Sequence, residues 1–373
     1  MLSEYIATLA IFVSFFIICY LLSRVDVLPH VTKSSIGKRY YYLDGIRGIA
    51  AICVINAHIW RITSNGMTFN GFNTNSSYAG LMGSFGVQIF FCITGFLFFD
   101  QMKKKNYEID WERFFIARIK RLVPLYVFSI TISVIMMLII GGITRIGISD
   151  IYNIFKLYHF GFSGNGGGGT IAGYNPAMLT ASIWTLPYEW RFYLLMPIMT
   201  IMMKSNRAIL PAIALLSLVI TFGHDGAGVW VYFVIGAVSS SLVNVRLNQG
   251  IRIISFIAFL IFSCLYFYLD HSLYGVVSYL LIGGVFTALL ISKPRFMSSK
   301  VFIYMGEISY SVYLNHLIVI VILSFVFGKL FELKNVEASL APLIYLLVSA
   351  SVCMYSVLTF KYIEHPFMKK QAR

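Results

Sequence analysis

The chain has 373 residues, of which 58% are hydrophobic and only 12% charged, about half the charged share of an ordinary soluble domain. With a mean hydropathy of +0.79 and long apolar runs recurring from end to end, it is excluded from the water-soluble globules and reads as a polytopic membrane protein. Lys and Arg outnumber Asp and Glu by 29 to 15, a net charge of +14, which membrane topology explains before nucleic acid does.

Eleven apolar segments are long enough for a hydrocarbon core about 30 Å thick at about 1.5 Å per residue: 5–22, 42–60, 80–99, 122–142, 183–203, 208–223, 228–244, 252–270, 273–292, 304–327 and 341–361. The expected fold is therefore all-α, a polytopic transmembrane helix bundle. Segment 5–22 follows Glu4 rather than a basic stretch and precedes no small-residue cleavage site, so it reads as a retained helix and not a signal peptide. Positive charge alternates between successive loops. Segments 23–41, 100–121, 204–207, 245–251, 293–303 and 362–373, with the adjoining helix ends, hold most of the Lys and Arg. The intervening loops hold only Arg61, Arg145, Lys156, Lys329 and Lys334. Since basic loops stay in the cytoplasm, the N-terminus is expected outside and the C-terminus inside. Cys19, Cys53, Cys92, Cys264 and Cys353 all fall in apolar runs without paired spacing, as inert small hydrophobes would.

An ionisable residue inside a span is costly and marks a functional candidate. In the second span, Arg47 and His58 are eleven residues apart, three turns plus about 20°, so they share one helix face about 16 Å apart. One reading gives an anion binder at the inner mouth and a titratable base deeper in; the other gives an arginine that snorkels to lipid and a histidine that glues helices. Glu189 and Arg191 sit in the outer part of the fifth span, at about the depth of His58, where a carboxylate orients an imidazole or pairs with a cation of another span. Ser309, Tyr313 and His316 recur at helical spacing as a polar stripe, which serves packing or chemistry. The Lys103–Lys105 triplet reads as a topology determinant and lipid contact. Arg113, Arg118, Lys120 and Arg121 fall on an amphipathic helix that suits a polyphosphate ligand or a lipid surface. The glycine-rich run Gly164–Thr170 lacks the Gly-Lys-Ser/Thr ending of a phosphate loop and reads as a flexible connector or, less simply, a lid.

Taken together, these segments resemble the acyltransferase 3 family of integral membrane O-acyltransferases over about Tyr42–Phe367. The signatures are Leu43–Gly48 followed by His58, Gly86–Phe96, Arg118–Tyr126, Trp184–Tyr193, Ile308–His316 and Tyr362–Phe367, in the family's order. The resemblance implies a ten-helix acyltransferase domain over 42–367, preceded by an extra N-terminal helix and linker over 1–41 and followed by a cytoplasmic tail over 368–373. It also implies transfer of an acyl group, usually acetyl, from cytoplasmic acyl-CoA to a hydroxyl of an envelope or exported carbohydrate such as O-antigen or exopolysaccharide. The partners would be acyl-CoA, a carbohydrate or lipid-linked glycan acceptor and membrane lipids, with no nucleic acid. No metal or bound cofactor is implied, and a bacterial inner membrane is the expected location.

The family's Arg-x10-His pair maps onto Arg47 and His58, and its acidic position after the Trp onto Glu189. A hydroxyl needs a base to become a nucleophile, so His58 with Glu189 is assigned the chemistry, either by direct transfer or through an acylated residue that carries the group outward, and Arg47, Arg118 and Arg121 the acyl-CoA phosphates. Asp44, Arg191, Tyr313 and His316 are taken as supporting residues. Thr94 stands where Ser is common and Trp190 where many members carry a second acid. The chain is expected to act without a fused extracytoplasmic domain. The main rival is a transporter or flippase of a lipid-linked sugar, which inverted repeats and paired broken helices would favour and the sequence displays neither; a non-catalytic membrane sensor or scaffold is the other.

Overall fold

The protein is described from a computed structural model covering residues 2–25, 27, 39–63, 69–70, 77–142, 146–163, 169–205, 228–243, 247–330 and 336–369. Ten of the eleven expected spans coincide with helices, and the eleventh, 208–223, lies outside the described residues. Six of the described helices are long and apolar enough to cross a membrane on their own. The only strand pairing among the described residues joins Phe69–Asn70 in parallel to Val336–Glu337, so the chain is all-α in architecture.

The central element is α2 (Tyr41–His58). It packs against α3 (Ser77–Lys104) on one side. On the other lie α10 (Lys300–Glu307) and α11 (Ser309–Phe325). Glycines allow the close approach that helix association in lipid requires. A Cβ added to Gly48 would overlap Met305, and one added to Gly306 would overlap the Asp44 carbonyl oxygen. The expected single span 304–327 is thus broken at Ile308, between α10 and α11.

The N-terminal helix α1 (Leu2–Val25) lies on α10 and on α12 (Ala341–Thr359). Ser14 Oγ is 2.5 Å from Ser349 Oγ, and Asn56 Nδ2 of α2 donates to Thr8 Oγ1 at 3.1 Å. Leu9, Phe16 and Leu21 on its opposite face are exposed, as lipid-facing residues would be.

The basic amphipathic run and the fourth span form one helix, α4 (Trp111–Gly141), so this element begins eleven residues before the expected span 122–142. Asp110 caps it by accepting from Arg113 N at 3.0 Å. Pro124 lies inside it without ending it. The following loop contains α5 (Ile148–Leu157), a helix absent from the sequence reading, while Gly164–Gly168, most of the run read as a connector, lie outside the described residues. Asn153 of α5 donates to Thr170 O at 2.9 Å, and Ile148, Ile151, Tyr152 and Phe155 form an exposed apolar face at helical spacing.

Completing the bundle are α6 (Leu186–Ser205), α7 (Val229–Ser239), α8 (Gln249–Tyr268) and α9 (Val276–Ser292). With eleven residues, α7 is too short to span a bilayer unaided. Its residues Val231, Tyr232 and Phe233 are buried against α3. A π-helical turn at Phe360–Glu364 leads from α12 into the last short helix, α13 (His365–Lys369). Cys19, Cys53, Cys92 and Cys353 are buried and form no disulfide, whereas Cys264 on α8 is exposed.

Candidate active site

A cavity of about 820 Å³ opens among α2, α3, α4, α6, α10 and α11, a volume ordinary for a small-molecule site. Its mouth gathers Arg39, Lys104, Lys105 and Met368, and its apolar wall includes Val87, Phe90, Phe91 and Phe98. Six cations face it against four carboxylates among the described residues, so its balance favours an anion.

Arg47 of α2, and Arg118 and Arg121 one turn apart on α4, line this one cavity together with Glu189, Asp44 and Tyr313. Arg118 lies over the rings of Phe98 and Phe114, at 5.3 and 5.9 Å from their centroids, which fixes the guanidinium plane by cation–π contact. The Nε atoms of Arg47 and Arg118 are buried without a hydrogen-bond partner among the described residues. A buried donor left idle costs about 1–3 kcal/mol, a cost that an anionic ligand would remove.

Asp44 bridges cations at the mouth, 2.6 Å from Arg39 Nε and 3.8 Å from Arg47 Nη1. Arg39 also pairs with Glu307, tying the start of α2 to the end of α10. Tyr40 donates to Asp100 Oδ2 at 2.9 Å, and Lys104 Nζ lies 2.8 Å from the same oxygen. Arg39 and this Asp100 group escaped the sequence reading because loop charges beside a span are read first as topology.

Glu189 accepts a hydrogen bond from Tyr193, one turn further along α6, and no hydrogen bond joins Glu189 to His58 among the described residues. The i, i+4 spacing of Glu189 and Tyr193 was the signal that could have disclosed the pair. Arg191 turns away from the cavity, exposed and set between the rings of Phe162 and Tyr188. Trp190 packs between Phe160 and Tyr193, at centroid distances of 5.8 and 5.9 Å.

His58 stands beyond the cavity floor. The floor includes Tyr313, whose hydroxyl donates to Ser182 O at 2.9 Å and lies 2.8 Å from Thr185 Oγ1. Behind Tyr313, at 6.4 Å between ring centroids, is His316, and His316 Nε2 is 3.2 Å from His58 Nδ1. The two histidines sit 258 residues apart in sequence and meet only because α2 and α11 cross here.

Residues 40–360 match the family described as an acyltransferase domain. The chain belongs to the acyltransferase 3 family. With helices of membrane-spanning length, this family member is an integral membrane protein. It is similar to the O-acetyltransferase OatA of Staphylococcus aureus, in several strains, at 23% identity over 379 residues. That alignment covers 88% of this chain and 58% of the relative, so the chain spans little more than half the length of that acetyltransferase. A protein designated Protein 2 in picA locus, from Rhizobium radiobacter, is 35% identical over 97 residues, covering 26% of this chain and 44% of that one. No solved structure matches.

Proposed function

We propose that this acyltransferase 3 member is a membrane O-acyltransferase that moves an acyl group, acetyl in the simplest case, from acyl-CoA to a hydroxyl of an envelope carbohydrate. The observation that carries this reading is the cation-rich cavity whose floor residue, Tyr313, backs onto the His58–His316 pair. The relative OatA, by its name an O-acetyltransferase, supports the group transferred.

In this reading Arg47, Arg118 and Arg121 hold the donor's phosphates, and Glu189, through Tyr193, keeps the arginine cluster from self-repulsion. The mouth residues Arg39, Lys104 and Lys105 come from segments that the charge bias assigns to the cytoplasm, the side that supplies acyl-CoA. His58 takes the proton of the acceptor hydroxyl; the oxygen attacks the thioester carbonyl carbon; the C–S bond breaks and the thiolate leaves with a proton. The transporter reading has the break at Ile308 between α10 and α11 in its favour, but it gives the buried His58–His316 contact no task. Purified protein incubated with radiolabelled acetyl-CoA and isolated envelope polysaccharide should label the polysaccharide. Absence of label on polysaccharide and on lipid-linked glycan alike, from folded protein, would overturn the proposal.

A further inference from the structure

The hydrogen-bond partners around the two histidines, His316 buried and His58 partly so, assign the proton of each ring to one nitrogen. His316 is fully buried. Its Nδ1 lies 2.8 Å from Tyr313 O and 3.2 Å from Val312 O. Carbonyl oxygens only accept, so Nδ1 carries the proton, and the neutral ring keeps its lone pair on Nε2. That lone pair lies 3.2 Å from His58 Nδ1. His58 Nδ1 is in turn 3.0 Å from Val54 O, so it too is protonated, and its hydrogen is shared between Val54 O and His316 Nε2. The ring planes are tilted by 49° at 5.1 Å, an arrangement suited to an edge contact between nitrogens.

We infer that His316 is a positioning residue which, by accepting from His58 Nδ1, holds the His58 ring with its Nε2 lone pair free to act as the base. This rests on the proposed acyltransferase chemistry and gives His316 the orienting task that a carboxylate performs in hydrolase triads. A neutral imidazole does so without placing an unpaired anion in an apolar interior. Three backbone carbonyls anchor the relay, from Val54 on α2 and from Val312 and Tyr313 on α11. The last of these carbonyls belongs to Tyr313, whose side chain also lines the cavity. The base is therefore indexed to the donor cavity through one helix.

The test uses the full chain in detergent, comparing folded fractions at matched thermal stability. His316→Phe keeps the ring volume and removes the acceptor; it should lower kcat about 10–100-fold, the usual effect of removing an orienting partner, with KM for acetyl-CoA unchanged. His316→Gln, whose carbonyl reaches the position of Nε2, should recover most of the rate, and His316→Asn, which reaches only the position of Nδ1, should not. In a His58→Ala background, His316→Phe should cause no further loss. Wild-type kcat in folded His316→Phe, or multiplicative losses in the double variant, would overturn the inference. Should His316→Phe fail to fold, equal rates for the Gln and Asn variants would overturn it. Full activity in His58→Ala itself would instead remove the base from the proposed function, which separates the two failures.

Discussion

Arginine geometry makes the cavity's selectivity testable one side chain at a time. Arg47 presents a planar fork with an idle Nε, so Arg47→Ala should raise the KM for acetyl-CoA by roughly tenfold or more, in line with about 1.5–3 kcal/mol for a charged hydrogen bond. Arg47→Lys should restore only part of that affinity, because a point charge replaces a bidentate fork; steady-state kinetics across donor concentrations reads both. An unchanged KM in both variants would take Arg47 out of the donor site. Ser311 supports another buried charge-bearing group: its hydroxyl donates to Glu364 Oε2 at 2.9 Å, while Glu364 Oε1 has no partner among the described residues. Ser311→Ala strips the carboxyl of this donor and should cost about 1–3 kcal/mol of stability, visible as a lower melting temperature in detergent. Residue types and helical spacing put Arg47, Arg118, Arg121 and Glu189 on the candidate list. Their convergence, and the pairing of Glu189 with Tyr193 rather than with His58, depends on how α2, α4 and α6 are placed in space.

Between elements, the tight contacts are made by glycine and thiol pairs. A Cβ on Gly95 of α3 would overlap the Phe233 carbonyl, and one on Gly236 of α7 would overlap that of Cys92. Gly236→Val should therefore force α3 and α7 apart at a cost of about 1–3 kcal/mol, with thermal unfolding of the purified protein as the readout and a wild-type melting temperature as the contrary result. Cys19 Sγ of α1 lies 3.9 Å from Cys353 Sγ of α12. A mild oxidant should join them, and peptide mass spectrometry should find a Cys19–Cys353 crosslink that Cys19→Ser abolishes. Its absence under conditions that oxidise introduced control pairs would argue against α1 seated on α12. Periodicity alone could not assign these partners, because in lipid every apolar face is equally acceptable to the solvent and only surface shape chooses among neighbours.

For the whole molecule, the alternation of basic loops predicts that Ser3→Cys, in a variant lacking the native cysteines, reacts with an impermeant maleimide in intact cells while Gln371→Cys is protected. The opposite pattern would invert the topology and place the cavity mouth on the side without acyl-CoA. The sequence by itself determined the solvent, the helical class and the family, because each is written in local quantities: apolar run length, charge between runs, and short motifs such as Leu43–Gly48 with His58. It also put Arg47 and His58 on one face of one helix, since a helix's own geometry suffices for that. Tertiary structure alone decided that α4 carries its basic turn unbroken into the span, that the expected 304–327 helix breaks beside Gly306, and that a helix, α5, forms within the loop after α4. It likewise decided that His58 meets His316 and that Tyr313 stands between that pair and the cavity. These features arise from contacts between residues distant in the chain, where shape complementarity and the need to satisfy buried polar atoms, rather than any local pattern, select one arrangement.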